Sequence, residues 1–187
     1  MNVDSRHYPT LIYEVRGRVA HIILNRPTRG NGIIGQTALD LQAAVETANL
    51  DPRVHVIGLS GRGKGFCGGY DLVVAAENSG NPADGEAVTP VGVHPEGSPL
   101  HPLAQLRNHD PSGVWDPVVD YQMMSRNVRG FMSLFFSDKP VVVKVHGFCV
   151  AGGTDLALCA DQIVIEDTAR IGYPPSRGMP DKHTAQS

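Results

Sequence analysis

The sequence has 187 residues, with 16 Lys or Arg against 19 Asp or Glu, so its formal net charge is −3 at pH 7. This balance argues against a nucleic-acid-binding protein, whose surface is strongly basic. No apolar run approaches the roughly 20 residues of a membrane-spanning helix, and the N-terminus lacks the apolar core of a signal peptide. The length predicts a single domain with a sizeable core. Three cysteines without metal-like spacing predict reduced thiols and a cytoplasmic location.

The first third of the chain predicts a hairpin, a helix and a buried strand. Apolar segments at 11–15 and 19–24 flank Arg16-Gly17-Arg18, which is typical of a β-hairpin with a glycine turn. Residues 36–50 carry apolar side chains at helical spacing, and Asp51-Pro52 ends that pattern. The apolar run 54–59 then predicts a buried strand.

A glycine-rich turn follows that strand at 61–72, with the sequence GRGKGFCGGYDL. Adjacent glycines allow the backbone to approach another group closely and leave N–H groups free to point at it. A short helix is predicted to begin near Asp71, whose side chain is then expected to cap it.

Residues 78–117 form an unusual section, rich in Pro, Gly, Asn and Asp. It is too long for an ordinary connection, and we predict a solvated, inserted loop. Its three histidines, His94, His101 and His109, fit no compact site, so no metal is predicted. The segment 118–136 then predicts a helix with one core-facing apolar stripe, made of Met124, Val128, Phe131, Met132 and Phe135.

A second glycine turn occurs in the stretch 145–161, VHGFCVAGGTDLALCAD. The run 141–145 predicts a buried strand, and Gly152-Gly153 opens a helix whose N-terminal end favours a developing anion. Asp155 lies one turn into that helix, where its carboxylate is expected to face the same pocket. Asp161 is expected to bond turn amides, and a short strand is predicted at 162–166.

Glycines at one such helix start indicate tight packing as readily as a site. Two glycine-rich strand ends in one domain, however, can present two N–H groups to one oxygen, which is what an oxyanion hole requires.

Together these motifs resemble the enoyl-CoA hydratase/isomerase, or crotonase, superfamily. One signature of the family is matched by residues 66–72 and a second by residues 151–156 with Asp161. An Asn-Arg-Pro turn at 25–27, with Asn31 further on, is a third match. The resemblance covers roughly 11–174 and implies an α/β fold, the ClpP-like ββα spiral of crotonases.

The resemblance also implies a domain organisation. Residues 1–176 form the crotonase-like core, with the inserted loop at about 78–117. Residues 177–187 form a polar tail that is unlike the family. The helical region that follows in crotonases is expected to be lacking.

The chemistry implied by the resemblance is stabilisation of the enolate of an acyl-CoA thioester. The backbone N–H groups of Gly68 and Gly152 would bind the thioester oxygen, and Asp155 would act as general base. The resemblance implies no metal and no separate cofactor, since CoA arrives with the substrate. It also implies a homo-oligomer, either a trimer or a hexamer. The resemblance assigns further substrate contacts to Phe66, Gly69, Tyr70, Asp71 and Arg29, with Arg29 on the phosphates of CoA.

The reaction itself stays open at this point. Hydratases of the family use a second glutamate, whose position falls on Pro175, and proline cannot transfer a proton. One-base isomerisation, decarboxylation and thioester hydrolysis therefore stand beside hydration. Reserve candidates for proton transfer, each expected to serve packing instead, are Tyr70, Tyr121, His146 and Tyr173.

Two other classes of function are weighed against the enzyme. One is a non-catalytic acyl-CoA binder or defective family member, suggested by Pro175 and the missing helices. The other is a serine peptidase of the related Clp-like fold, which we set aside because neither glycine turn carries a serine.

Overall fold

The computed structural model describes residues 4–71, 97–108 and 110–173. Groups of one to three strands alternate with helices along the described residues, and a 3₁₀ turn at Pro27–Arg29 precedes the first helix. In chain order the elements are β1 (Asp4–His7), β2 (Leu11–Arg16), β3 (Val19–Leu24), α1 (Gly35–Leu50), β4 (Val56–Gly61), α2 (Pro102–Asn108), α3 (Pro117–Phe135), β5 (Val141–Val145), β6 (Phe148–Val150), α4 (Gly152–Leu158), β7 (Gln162–Ile165) and β8 (Arg170–Gly172).

Two sheets organise these strands. The larger has the order β1-β2-β3-β4-β5-β7, and the smaller pairs β6 with β8. Strands β1, β2 and β3 pair antiparallel, whereas β3, β4, β5 and β7 pair parallel. Because parallel strands end at the same edge of a sheet, the turns that follow β4 and β5 start side by side, with Ser60 opposite Lys144.

The core lies between one face of the large sheet and the helices α1 and α3. Alternate residues of the parallel strands are fully buried there, among them Ile57, Leu59 and Val143. The two helices touch at Gly130, where an added Cβ would lie only 2.6 Å from the Cβ of Ala38. Burial of this apolar face is the main stabilising term of the domain.

The predicted N-terminal elements are confirmed, with one shift. The hairpin and α1 occupy the predicted segments, but the strand predicted at 54–59 runs from Val56 to Gly61. Val54 is buried, yet its N–H donates to the carbonyl of Asp51 in the turn that ends α1. Val54 is apolar and buried like a strand residue, so the sequence pattern placed the start of the strand two residues too early.

Within the inserted segment, the prediction of a continuous loop from 78 to 117 is wrong, because residues 102–108 form α2. This helix is held to α3 by a tertiary contact, in which the amide of Asn108 donates to Asp120 at 2.9 Å. Its seven residues show too little periodicity for detection from sequence. The rest of the predicted loop, 78–96, lies outside the described residues. His94 and His109 lie outside them as well.

Helix α3 buries a different face from the predicted stripe. Phe131 is buried, but Met124, Val128 and Phe135 are 36%, 49% and 63% exposed. The buried face instead carries Val119, Asn127, Gly130, Phe131 and Leu134. The helix has apolar residues on two faces, and periodicity alone could not select the one that packs on α1.

Two absences concern only the part of the chain that the structure describes. No helix in it is long and apolar enough to cross a membrane. No group of three or more His, Cys, Asp or Glu side chains in it is arranged to hold a metal ion.

Candidate active site

The two glycine turns lie against each other at the edge where β4 and β5 end. The carbonyl of Phe148 accepts from the N–H of Phe66 at 2.9 Å, and the N–H of Val150 donates to the carbonyl of Cys67 at 3.0 Å. A Cβ added to Gly69 would lie 3.4 Å from the backbone nitrogen of Gly152. The predicted meeting of the two turns is therefore what the structure shows.

This approach depends on residues without side chains. Gly69 has a φ of +91°, and a Cβ there would lie 3.0 Å from the carbonyl oxygen of Val150. A Cβ on Gly153 would lie 2.5 Å from the carbonyl oxygen of Cys67, closer than van der Waals contact permits. The glycines thus allow one backbone to rest directly on the other.

The backbone N–H groups of Tyr70 and Gly152 at this contact have no acceptor among the residues that the structure describes. Gly152 opens α4, so its N–H has no partner inside the helix. The residues on either side of Tyr70 are both bonded to Ile33: Gly69 O accepts from Ile33 N at 2.8 Å, and Asp71 N donates to Ile33 O at 3.0 Å. In this parallel bridge the N–H of Tyr70 points away from Ile33.

The sequence predicted the N–H of Gly68 as the first oxyanion donor, and the structure corrects that prediction. The Gly68 N–H donates to the carbonyl oxygen of Gly30 at 2.9 Å, so it is engaged within the fold. The positive φ of Gly69 turns the chain between Gly68 and Tyr70, and the amides of these two residues therefore face different surroundings. A pair of adjacent glycines does not reveal which neighbouring N–H points outward.

The first glycine turn is braced by the side chain of Asn31, which is 3% exposed and has a φ of +54°. Its amide nitrogen lies within hydrogen-bonding distance of the carbonyl oxygens of Arg62, Gly65 and Phe66, at 2.9, 3.1 and 3.0 Å. Its oxygen accepts from the backbone N–H of Arg26 at 2.9 Å. These contacts fix the backbone that precedes Tyr70.

A second brace follows Tyr70, where the carboxylate of Asp71 is held between two guanidinium groups. Asp71 accepts from Arg26 at 2.9 Å and from Arg29 at 3.0 and 3.2 Å, and its side chain is 6% exposed. Arg26 also donates to the carbonyl of Gly32. Asp71 and Arg29 therefore contact each other in this structure. The proposed contact of Arg29 with CoA stays a prediction, and the helix expected after Asp71 lies outside the described residues.

We expect Asp71→Asn to lower the free energy of unfolding by about 2 kcal/mol, measured by urea denaturation. The substitution removes the negative charge that Arg26 and Arg29 both contact. Breaking a fully buried ion pair from one side costs roughly 3–5 kcal/mol, and the exposure of Arg29, 35% of its side chain, reduces that cost. The matched control is Glu14→Gln, which removes the exposed Glu14–Arg16 pair and should cost under about 0.5 kcal/mol. Equal effects of the two substitutions would contradict the role of Asp71 as a brace.

Asp155 lies on the first turn of α4 with an exposed side chain. No hydrogen bond or ion pair engages its carboxylate among the described residues. The adjoining protein surface removes part of its hydration, and this desolvation raises the pKa of Asp155 above its ordinary value. The structure thus places an unpartnered carboxylate one turn beyond the N–H of Gly152, as the sequence predicted.

The side chain of Tyr70 fills the space next to Gly152. A Cβ added to Gly152 would lie 2.9 Å from the Tyr70 ring, and the ring centroid of Phe131 is 6.4 Å away. The side chain of Asn127 on α3 lies close to the Tyr70 hydroxyl. Burial, followed by the charge of Asp155, raises the pKa of Tyr70 to about 12.

Phe66, another predicted substrate contact, is fully buried. Its side chain belongs to the core, so the expectation that it contacts substrate is corrected. The structural role expected of Asp161 is confirmed, since its carboxylate accepts from the N–H of Val141 at 2.7 Å. Of the reserve candidates, Tyr121 and Tyr173 are 68% and 58% exposed, and Nε2 of His146 contacts the carbonyl oxygen of Gly63 at 2.9 Å.

Comparisons with known proteins agree with this architecture. The family described as "Enoyl-CoA hydratase/isomerase" matches residues 14–89 and 118–179. The crystal structure of an enoyl-CoA hydratase from Mycobacterium smegmatis superimposes with a TM-score of 0.73 and 53% identity, over 89% of this chain and 50% of that one. A carnitinyl-CoA dehydratase of Proteus mirabilis is 29% identical over 87% of this chain and 48% of its own length.

The family match leaves out 90–117, most of the segment predicted as an insertion. The chain spans about half the length of the relatives it matches. Within that span, the matched residues include both glycine turns, Asp155 and the strands β4 and β5 that lead into the turns. The mixed α/β architecture predicted from the sequence is that of its structural neighbours, and the chain belongs to the enoyl-CoA hydratase/isomerase family.

Proposed function

We propose that this site binds an acyl-CoA thioester and stabilises its enolate. The N–H groups of Tyr70 and Gly152 would donate to the thioester oxygen, and Asp155 would remove or return a proton at the α-carbon. The observation that carries the proposal is the pair of N–H groups without acceptors, of Tyr70 and Gly152, on two glycine turns that lie against each other.

The physical advantage of such an arrangement is that the donors are fixed before the reaction begins. When Asp155 takes the α-proton, the electron pair of the C–H bond moves toward the carbonyl, and negative charge gathers on the thioester oxygen. Two N–H groups already aimed at that oxygen stabilise the charge with little reorganisation. One donor of this kind typically contributes about 3–4 kcal/mol to transition-state stabilisation.

The N-terminal end of α4 would also stabilise negative charge on the thioester oxygen. Its partial positive charge lies beside the Gly152 N–H and so adds to the stabilisation of an oxyanion there. Tyr70 and Gly152 replace the pair Gly68 and Gly152, because the Gly68 amide is already bonded to Gly30.

The relatives' names favour addition or removal of water as the reaction of the whole site, since they include an enoyl-CoA hydratase and a carnitinyl-CoA dehydratase. The substrate class would then be a 2-enoyl or 3-hydroxyacyl thioester of CoA. Proton removal at the α-carbon is a step that this reaction shares with isomerisation, so it can be tested before the complete reaction is known.

The test is exchange of the α-hydrogens of butyryl-CoA in D₂O, followed by ¹H NMR. Butyryl-CoA can undergo neither hydration nor double-bond migration, so exchange reports on the base and the two amides alone. We expect exchange well above the rate without protein, together with calorimetric binding of butyryl-CoA. Binding without exchange would overturn the catalytic proposal in favour of an acyl-CoA binder, and absence of both would overturn acyl-CoA as the ligand. Light scattering on the same sample tests the expected trimer or hexamer.

A further inference from the structure

The side chain of Tyr70 connects three parts of the site. Its backbone belongs to the first glycine turn, its ring lies on Gly152 at the start of α4, and its hydroxyl reaches Asn127 on α3. The ring is also supported by Phe131, one turn further along α3. A ring packed against both Gly152 and Phe131 keeps its hydroxyl at one place relative to the Gly152 N–H.

Asn127 is the polar side chain next to this hydroxyl. It is 8% exposed, one of only a few buried polar side chains among the described residues, and it lies close to the Tyr70 oxygen. An amide that donates to that oxygen would leave the hydroxyl proton for another acceptor. The titratable groups close enough to affect Tyr70 are Asp155 on α4, Tyr173 after β8 and Cys67.

We propose that the Tyr70 hydroxyl is a second proton-transfer group of this site, which donates its proton to the oxygen on the β-carbon of a 3-hydroxyacyl thioester, and that Asn127 is its positioning residue. The proposal rests on the enolate-forming function proposed above. It assigns the two ends of the reaction to different elements: the α-proton to Asp155 on α4, and the β-oxygen to the Tyr70 side chain.

The proton balance of the dehydration closes with these two groups. Asp155 takes the α-proton, and the electron pair of that C–H bond forms the enolate and then the Cα–Cβ double bond. The bond from Cβ to oxygen breaks, and the leaving oxygen takes the Tyr70 proton and departs as water. The proton on Asp155 passes to the Tyr70 phenolate through solvent, which restores both residues. Hydration is the reverse sequence.

The protonation state of Tyr70 suits this role. Because its pKa lies at about 12, the hydroxyl carries its proton at neutral pH. A departing hydroxide is a much stronger base than a phenolate with that pKa, so the transfer is favourable only once the bond to Cβ is breaking. General acids of this kind contribute about 10²–10⁴-fold.

The experiment compares two reactions of the same protein. Dehydration of 3-hydroxybutyryl-CoA needs a proton for the leaving oxygen, whereas α-hydrogen exchange of butyryl-CoA does not. Tyr70→Phe removes the hydroxyl and keeps both the ring and the backbone N–H. We expect the ratio of the dehydration rate to the exchange rate to fall about 30-fold or more in this variant.

Asn127→Ala, whose fold is checked by its melting curve, should lower the same ratio by about 10-fold, through kcat rather than KM. Adding it to Tyr70→Phe should cause no further loss, because its effect acts through the hydroxyl. A ratio in Tyr70→Phe within about threefold of the unmodified protein, or additive losses in the double variant, overturns the inference. If the unmodified protein exchanges butyryl-CoA but does not dehydrate 3-hydroxybutyryl-CoA, the inference fails while the enolate function stands. If it does neither, both fail.

Discussion

Asp155→Asn should lower α-hydrogen exchange of butyryl-CoA by about 10³-fold, which is within the range of general base catalysis. Asparagine has nearly the same shape as aspartate but cannot accept the α-proton. The substitution removes no hydrogen bond or ion pair recorded for the carboxylate, so the fold should be unaffected. The exchange rate is measured by ¹H NMR, and the Kd for butyryl-CoA by calorimetry.

The pH dependence of exchange gives a second measure of the same group. A base must be ionised to act, so the rate should rise with pH through the pKa of Asp155 and level off above it. Since desolvation raises that pKa, the fall on the acidic side should begin at a higher pH than for an ordinary aspartate. The matched control is Asp138→Asn, on the exposed turn before β5. An Asp155→Asn variant that keeps more than a tenth of the rate would show that another group removes the proton.

The fold was predictable because its strongest signals are local. Alternating and continuous apolar runs identified β2, β3 and β5, and the Asp51-Pro52 stop ended α1 at the predicted residue. The two glycine turns were predicted to meet because each follows a buried strand of one domain. The physical reason lies in the sheet, where β4 and β5 pair parallel and therefore end at one edge.

The choice of donor at the first turn was not predictable in the same way. The sequence shows two adjacent glycines, whereas the free N–H belongs to the residue after them. Which amide faces outward depends on the carbonyl of Gly30, the pairing with Ile33 and the positive φ of Gly69. These are tertiary contacts between segments about 40 residues apart, and no local pattern reports them.

The charged residues of the site illustrate the same limit. The family resemblance assigned Arg29 and Asp71 to the substrate, and the sequence gives their charges but not their neighbours. In the structure they contact each other. Phe66 likewise lies in a recognisable motif, yet it packs wholly into the core. Asp155 was placed correctly because its position follows from helical geometry alone, one turn beyond Gly152.

Gly147→Ala should destabilise the protein by at least about 4 kcal/mol, which is at the exceptional end for a single substitution and a large share of the 5–15 kcal/mol typical of a domain. Gly147 has a φ of +59°, and a Cβ there would lie 2.0 Å from the carbonyl oxygen of Lys64 and 3.0 Å from the Cα of Gly65. Both contacts are with backbone, so no side-chain rotation can relieve them. Urea denaturation measures the change, and thermal melting should show it as a lower Tm.

Gly17→Ala is the matched control for that substitution. Gly17 has nearly the same φ, +61°, but nothing lies within 4 Å of its added Cβ. The Gly17→Ala substitution therefore costs only the strain of the left-handed conformation, roughly 1–2 kcal/mol. The difference in unfolding free energy between the two variants isolates the clash with Lys64.

The clash at Gly147 should also displace backbone groups of the candidate active site. The loop that contains Lys64 leads directly to Phe66, whose N–H is bonded to the carbonyls of His146 and Phe148 on either side of Gly147. Displacing that loop separates the two glycine turns and moves the Tyr70 N–H away from that of Gly152. At temperatures where Gly147→Ala stays folded, its exchange rate should fall more than that of Gly17→Ala. Equal exchange rates per folded molecule would mean that the two N–H groups keep their positions without this contact, and that the close approach at Gly147 serves stability alone.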